Sequence, residues 1–271
     1  RCRAPRRERR RRLDRNDLGT AGPLLTLGED AVALLPEAQP RDITPPGGSQ
    51  NPMVDLARLS RAALEAMEAH GGALRETQHA LAAAGSSVVA AVLGEARTVY
   101  EWQHYPSGDA YDPATHAQYF YHAHPAGEAA SKRNAGAGPP EHGHFHTFLR
   151  ARGIPAGMNP LVLPELAIAE NPAAPKAPLE PSAPESADGV EPEPWTHLVA
   201  IAMDASSMPL RFFATNRWVT GETWYAAADI AAMLDRFAVA PAGAAPLVNR
   251  WVTALIGLYK PDLVELLARR D

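Results

Sequence analysis

The chain has 271 residues, 46% of them apolar, with 26 basic against 31 acidic side chains, enough for one large or two small cored domains. The charge is unevenly placed: residues 1–16 carry nine Arg against Glu8 and Asp14, and the remainder holds 17 basic and 29 acidic residues, so nucleic acid could be met only through the N-terminal arm. The lone cysteine, Cys2, excludes an intramolecular disulfide, and no apolar run nears the roughly 20 residues of a membrane span.

The cytoplasm is the expected compartment. The apolar patch from Leu24 to Leu35 is interrupted by Glu29 and Asp30, which breaks the centre a secretory signal needs. Residues 1–50 lack helical or alternating periodicity and end in Thr-Pro-Pro-Gly-Gly-Ser-Gln, the composition of a disordered basic arm. A single domain is expected over 51–271. Asn51-Pro52 supplies an N-cap and a first-turn proline, and Leu56, Leu59, Ala63, Leu64 and Met67 follow at helical spacing. Gly71-Gly72 is expected to end that helix. A second helix is predicted over 73–84 and a short third over 88–94.

From Thr98 the period becomes alternating, with aromatic and β-branched residues. Strands are predicted over 98–105, 118–124 and 141–149, with turn chemistry at Pro106-Ser107-Gly108-Asp109 and at Asp112-Pro113. Residues 155–194 hold ten prolines and are expected to be a flexible insertion. A hairpin follows, with strands 195–204 and 210–216. Helical faces then return: Ile230, Met233, Leu234 and Phe237; Val248, Trp251, Leu255 and Leu258; Leu263, Leu266 and Leu267. This order predicts an α+β fold, an antiparallel sheet of about five strands with N-terminal and C-terminal helices packed on it.

Five of the ten histidines, His122, His124, His142, His144 and His146, fall within 25 residues. Alternation puts His122 and His124 on one strand face, and His142, His144 and His146 on one face of the next. Neighbouring strands lie about 4.8 Å apart, so the five rings can converge as ligands of a divalent ion. Zinc takes three or four such ligands, non-haem iron two His and a carboxylate, and manganese remains open. Glu128 or Glu141 would supply a carboxylate ligand or a general base. The alternatives are a hydrogen-bonded apo cluster and a plain polar sheet face. His104, His116 and His197 stand closer to ordinary structural roles, with His197 joining if its strand lies beside 141–149. Arg217 after the hairpin could clamp a substrate carboxylate or phosphate, with Trp218 walling the pocket; a structural ion pair and core tryptophans explain the same residues.

His122-Ala-His124 followed by Glu128 is similar to the first cupin motif, with His116 where that motif has a glycine, and no second cupin motif follows. Tyr119–Pro125 resembles the strand ending in His-x-His-Pro of JAMM metalloproteases, with Ser131 and Asn134 near the positions of that family's Ser and ligand Asp. A broader resemblance rests on His104-Tyr-Pro-x-Gly-Asp109, Tyr121-His-Ala-His-Pro125, Glu141-His-Gly-His-Phe-His146 and Asn216-Arg-Trp-Val-Thr-Gly-Glu222. These are similar to an uncharacterised bacterial domain of unknown function, which would span about 53–271 and implies no mechanism.

Three functions fit: a metal-dependent hydrolase or oxygenase acting on a small molecule, a non-catalytic metal-binding or sensing protein, and a structural interaction module. The sequence leaves open whether the chain is an enzyme. Phosphate loops, Gly-x-Ser-x-Gly elbows and a core cysteine nucleophile are absent, which disfavours nucleotide-driven and Ser/Cys hydrolase chemistry.

Overall fold

The computed structural model describes residues 12–14, 54–96, 98–100, 103–124, 140–163, 194–215 and 220–270. Within them lie helices α1 (Arg61–Ala83), α2 (Val88–Leu93), α3 (Ala227–Met233), α4 (Pro246–Leu258) and α5 (Lys260–Ala268). The strands are β1 (Arg12–Asp14), β2 (Thr98–Tyr100), β3 (Tyr105–Tyr111), β4 (Ala117–Ala123), β5 (Glu141–Arg150), β6 (Trp195–Asp204) and β7 (Pro209–Phe213). β1 and β2 pair by themselves, while β3 to β7 form one antiparallel sheet in chain order. The fold is α+β, as the change of period predicts. Most of the expected basic arm, the Asn51-Pro52 cap and residues 164–193 of the Pro-rich insertion lie outside the described residues. The first part of that insertion is placed, with Val162 bridged to Trp224.

β4, most of β5 and most of β6 are buried on both faces, so their composition rather than simple alternation decides what each face does. Tyr119, Tyr121, Phe145, Leu149, Val199, Ile201 and Met203 join one apolar cluster with Val248, Trp251 and Leu255 of α4. Trp251 is fully buried, its ring 5.9 Å from that of Phe145. On the opposite face Gln118, Phe120 and His122 of β4 stand directly across from Phe148, His146 and His144 of β5. The helix-packed face is thus oily, and its reverse carries the imidazoles.

Two sequence expectations fail for identifiable reasons. α1 continues through Gly71-Gly72, starting instead at Ser60, whose hydroxyl accepts from the Ala63 N–H at 3.2 Å. Two mid-helix glycines cost about 1 kcal/mol each relative to Ala, and packing of α1 along α4 overrides that. Close approach is required where they cross: a Cβ on Gly257 would come within 2.4 Å of the His70 ring. The turn expected at 106–109 lies inside β3 instead. Gly108 (φ 80) and Asp109 (φ 58) form an irregularity in the β3–β4 register between Tyr105 and Ala110, so the turn-prone residues kink a strand rather than reverse it. The strand expected over 98–105 is correspondingly split, β2 ending at Tyr100.

The reversal occurs at Asp112, whose carboxylate accepts from the N–H groups of Ala114 (2.8 Å), Thr115 (3.0 Å) and Ala240 (2.7 Å). Burial works to raise its pKa, and these hydrogen bonds outweigh burial and hold it below the usual range. A second buried tie crosses the layers. The Tyr119 hydroxyl donates to Asn249 Oδ1 (2.6 Å), and Asn249 Nδ2 donates to the carbonyls of Ala240 (2.8 Å) and Ala242 (2.9 Å). Removing Asn249 strands the buried Tyr119 hydroxyl and unties the Ala240 and Ala242 carbonyls, whereas Tyr119→Phe removes one hydrogen bond. In urea denaturation, Asn249→Ala is expected to cost about 3 kcal/mol and Tyr119→Phe about 1 kcal/mol; equal losses would show that the amide is not the hub.

Candidate metal centre

Two β-bulges shape the imidazole face. In the β5–β6 ladder Glu141 pairs with Asp204 and Gly143 with Met203, leaving His142 as the extra residue. Because side chains alternate, one inserted residue exchanges the faces of everything before it. His142 therefore turns to the helix-packed side, where its Nδ1 lies 2.7 Å from the Tyr121 hydroxyl and the two rings stack. Glu141 takes the place beside His144 that alternation assigns to His142. The expected common face of His142, His144 and His146 is corrected to Glu141, His144 and His146. The second bulge makes Leu198 the extra residue between Thr147–Val199 and Phe148–His197. It sends Leu198 into the core and swings His197 to His146.

Small residues make the space. Across the sheet His144 faces Ala202, which faces Arg211, and His146 faces Ala200, which faces Phe213. With only methyl groups on β6, Arg211 reaches over that strand to Glu141 Oε2 (2.5 Å), and the Phe213 ring meets His144 edge-on at 5.1 Å. Gly143 is equally constrained: an added Cβ would stand 2.3 Å from the His122 carbonyl oxygen and 2.5 Å from the Tyr121 hydroxyl.

His122 and His144, directly opposed, have ring centroids 4.2 Å apart. His144 Nδ1 is 2.6 Å from Glu141 Oε1 and 3.0 Å from His124 Nε2, which is itself 3.4 Å from the same carboxylate oxygen. On its other side His144 Nε2 is 2.9 Å from His146 Nε2, and His146 Nδ1 is 3.0 Å from His197 Nε2. His197 Nδ1 is 3.1 Å from the Thr215 hydroxyl, and the His197 backbone N–H donates to Glu222 Oε2 (2.7 Å). Thr220 donates to the other oxygen of Glu222 (2.7 Å). At the far end of the face the His104 ring stacks on Phe120 at 3.6 Å, and Asp109 links His104 to Gln118, which accepts from the buried Arg150.

Burial pushes the His144 pKa down, pushes that of His146 well below the ordinary value, and carries His197 down to about 3. These rings are neutral near pH 7, the state in which imidazole binds metal. Burial alone would raise Glu141, but hydrogen bonds from His124 and His144 and the charges of His144 and Arg211 keep it well below the carboxylate range. Burial lifts Glu222 to about 8, against the hydrogen bonds from Thr220 and the His197 N–H and the charge of Arg270.

Among the described residues, two groups can hold a metal ion: His122, His144 and His146, and His124, Glu141 and His144, with the donor atoms of each group within 4.8 Å of one another. Four of the five predicted histidines thus gather with Glu141. His142 stands apart, and Glu128, Arg217 and Trp218 lie outside the described residues. His197 joins, its strand lying beside β5 as its inclusion required. Arg211 and Thr215 went unremarked in the sequence; only the paired register of β6 with β7 would have pointed to Arg211.

The chain belongs to a family defined as a domain of unknown function (DUF6969), whose model matches residues 68–271. No curated protein and no solved structure matches it. No described helix is long and apolar enough to cross a membrane.

Gly143→Ala is expected to destabilise the protein by about 1–3 kcal/mol through overpacking against backbone. Gly72→Ala, where an added Cβ meets nothing within 4 Å, should be neutral or stabilise by up to about 1 kcal/mol. Thermal unfolding of the two variants tests this, and a neutral Gly143→Ala would show that the bulge tolerates a side chain.

Proposed function

We propose that this chain is a metal-dependent enzyme, hydrolytic or oxygen-using, whose divalent ion is held by His124, His144 and Glu141. The observation that carries the reading is the triangle of donor atoms at 2.6, 3.0 and 3.4 Å, small enough for all three to touch one ion at the roughly 2.0–2.2 Å of zinc–nitrogen and zinc–oxygen bonds. Two imidazoles and one carboxylate on one side of an ion suit Zn, Fe or Mn and leave positions for other ligands. The His124 ring adds support, its Nδ1 buried without a hydrogen-bond partner while Nε2 faces the triangle.

A bound ion supplies Lewis acidity and, if iron or manganese, redox chemistry. The chain's own residues do the rest. Arg211 grips Oε2 of Glu141 and thereby aims Oε1 at the two histidines. With both oxygens engaged, Glu141 serves as a ligand rather than a mobile base. His122, its ring 5.0 Å from that of His124 and 4.2 Å from that of His144, is the neighbouring imidazole placed to accept a proton. Arg217 and Trp218, shortly after β7 in the chain, are assigned to a small-molecule substrate. The second reading, a non-catalytic metal-binding or sensing protein, draws on the His122, His144 and His146 group, an all-imidazole set buried throughout.

Full-length protein without a polyhistidine tag, purified without oxygen, is expected to carry about one equivalent of Zn, Fe or Mn by elemental analysis. Glu141→Gln and His144→Ala should lose it, and His142→Ala should retain it. X-ray absorption showing oxygen ligands beyond Glu141 supports the enzyme, whereas an all-protein shell favours sensing. No metal after reconstitution with each ion would sink both readings.

A further inference from the structure

Thr215, His197, His146, His144 and Glu141 form an unbroken line of contacts of 3.1, 3.0, 2.9 and 2.6 Å. Each neutral imidazole has one N–H and one bare nitrogen, so a hydrogen bond fixed at one end of the line dictates the tautomer of every ring after it. Without an ion, the ionised Glu141 can only accept, and His144 must carry its proton on Nδ1. His144 Nε2 is then bare and accepts from His146 Nε2–H; His146 Nδ1 accepts from His197 Nε2–H; His197 Nδ1 accepts from the Thr215 hydroxyl.

An ion in the His124–His144–Glu141 triangle takes the Nδ1 lone pair of His144, and the same logic then runs the other way. His144 Nε2–H donates to His146 Nε2, His146 Nδ1–H to His197 Nε2, and His197 Nδ1–H to Thr215 Oγ1. We propose that metal binding reverses the polarity of this whole line, so that occupancy at Glu141 is expressed as a changed tautomer of His197 and a changed hydrogen bond at Thr215. The inference rests on the metal centre proposed above.

The protons balance. The Nδ1 proton of His144 leaves to solvent as the ion arrives. The His146 proton crosses to His144, the His197 proton to His146 and the Thr215 proton to His197; Thr215 then regains one from solvent. Every ring keeps one proton and none is left charged in the interior, where a charge would be costly. Burial favours this neutral relay over a charged one: His146 is 1% exposed and His197 3%. The His197 main chain is anchored independently by Glu222, so the ring can exchange donor for acceptor without its strand moving. His146 and His197 are therefore positioning residues that set the donor strength of His144, as outer partners of ligating imidazoles do.

The test is long-range nitrogen–proton correlation NMR of full-length protein labelled with nitrogen-15 in histidine, with and without one equivalent of Zn(II), alongside elemental analysis of the same sample. Expected on zinc addition is a change of His146 and His197 from the Nε2–H to the Nδ1–H tautomer. In Thr215→Ser the change should persist, and in Thr215→Val zinc binding should weaken about tenfold for lack of an acceptor at the end of the line. Bound zinc with His146 and His197 unchanged overturns the reversal and leaves the metal centre standing. Failure to bind zinc overturns the zinc-driven reversal, and failure to take up iron and manganese as well overturns the metal centre.

Discussion

Imidazoles taken out of water on a sheet face cannot stay charged side by side, and each neutral ring must find one donor and one acceptor. That constraint governs the non-helical side of this sheet. His144, with a partner on each nitrogen, is its fixed point, and the neighbouring rings, the two alanines of β6 and the carboxylate held by Arg211 are arranged to suit it. A cluster of this kind is either fully connected or expensive, which is why the polar line extends beyond the candidate ligands to Thr215.

The arrangement depends on a division of labour between the faces. The side packed on α4 supplies apolar contact and two satisfied polar ties, through Asn249 and through Tyr121 with His142. The reverse side holds a second polar line from His104 to Arg150, separated from the imidazoles by Phe120 and Phe148. Aromatic rings between the two lines keep each a local network in which partners are determined, rather than one diffuse polar layer.

Much of this was legible in the sequence. Aromatic and histidine alternation marked β4 and β5 nearly to the residue, and antiparallel pairing followed from the short connection between β3 and β4. What could not be read was the parity of each strand. A bulge is one residue whose placement depends on both neighbouring strands, and it moved His142 off the face and Glu141 onto it. The same dependence hid Arg211, which lies 70 residues from Glu141 in the chain and reaches it only because Ala202 is small. Gly71-Gly72 misled for the converse reason, since local propensity marks an end where packing on α4 continues the helix.

The turn joining β6 to β7 is itself anchored. Ser207 (φ 67) donates from its hydroxyl to Ser87 at 2.7 Å and accepts from the Val89 N–H at 3.4 Å, at the N-terminus of α2. β7, which carries Arg211 and Phe213, is therefore tethered at its turn to the helical layer while its side chains reach the imidazoles on the other side of the sheet. The hairpin works as a lever with its fulcrum at Ser87. A tilt of α2 would be delivered to the Glu141 carboxylate as a sideways pull by the guanidinium.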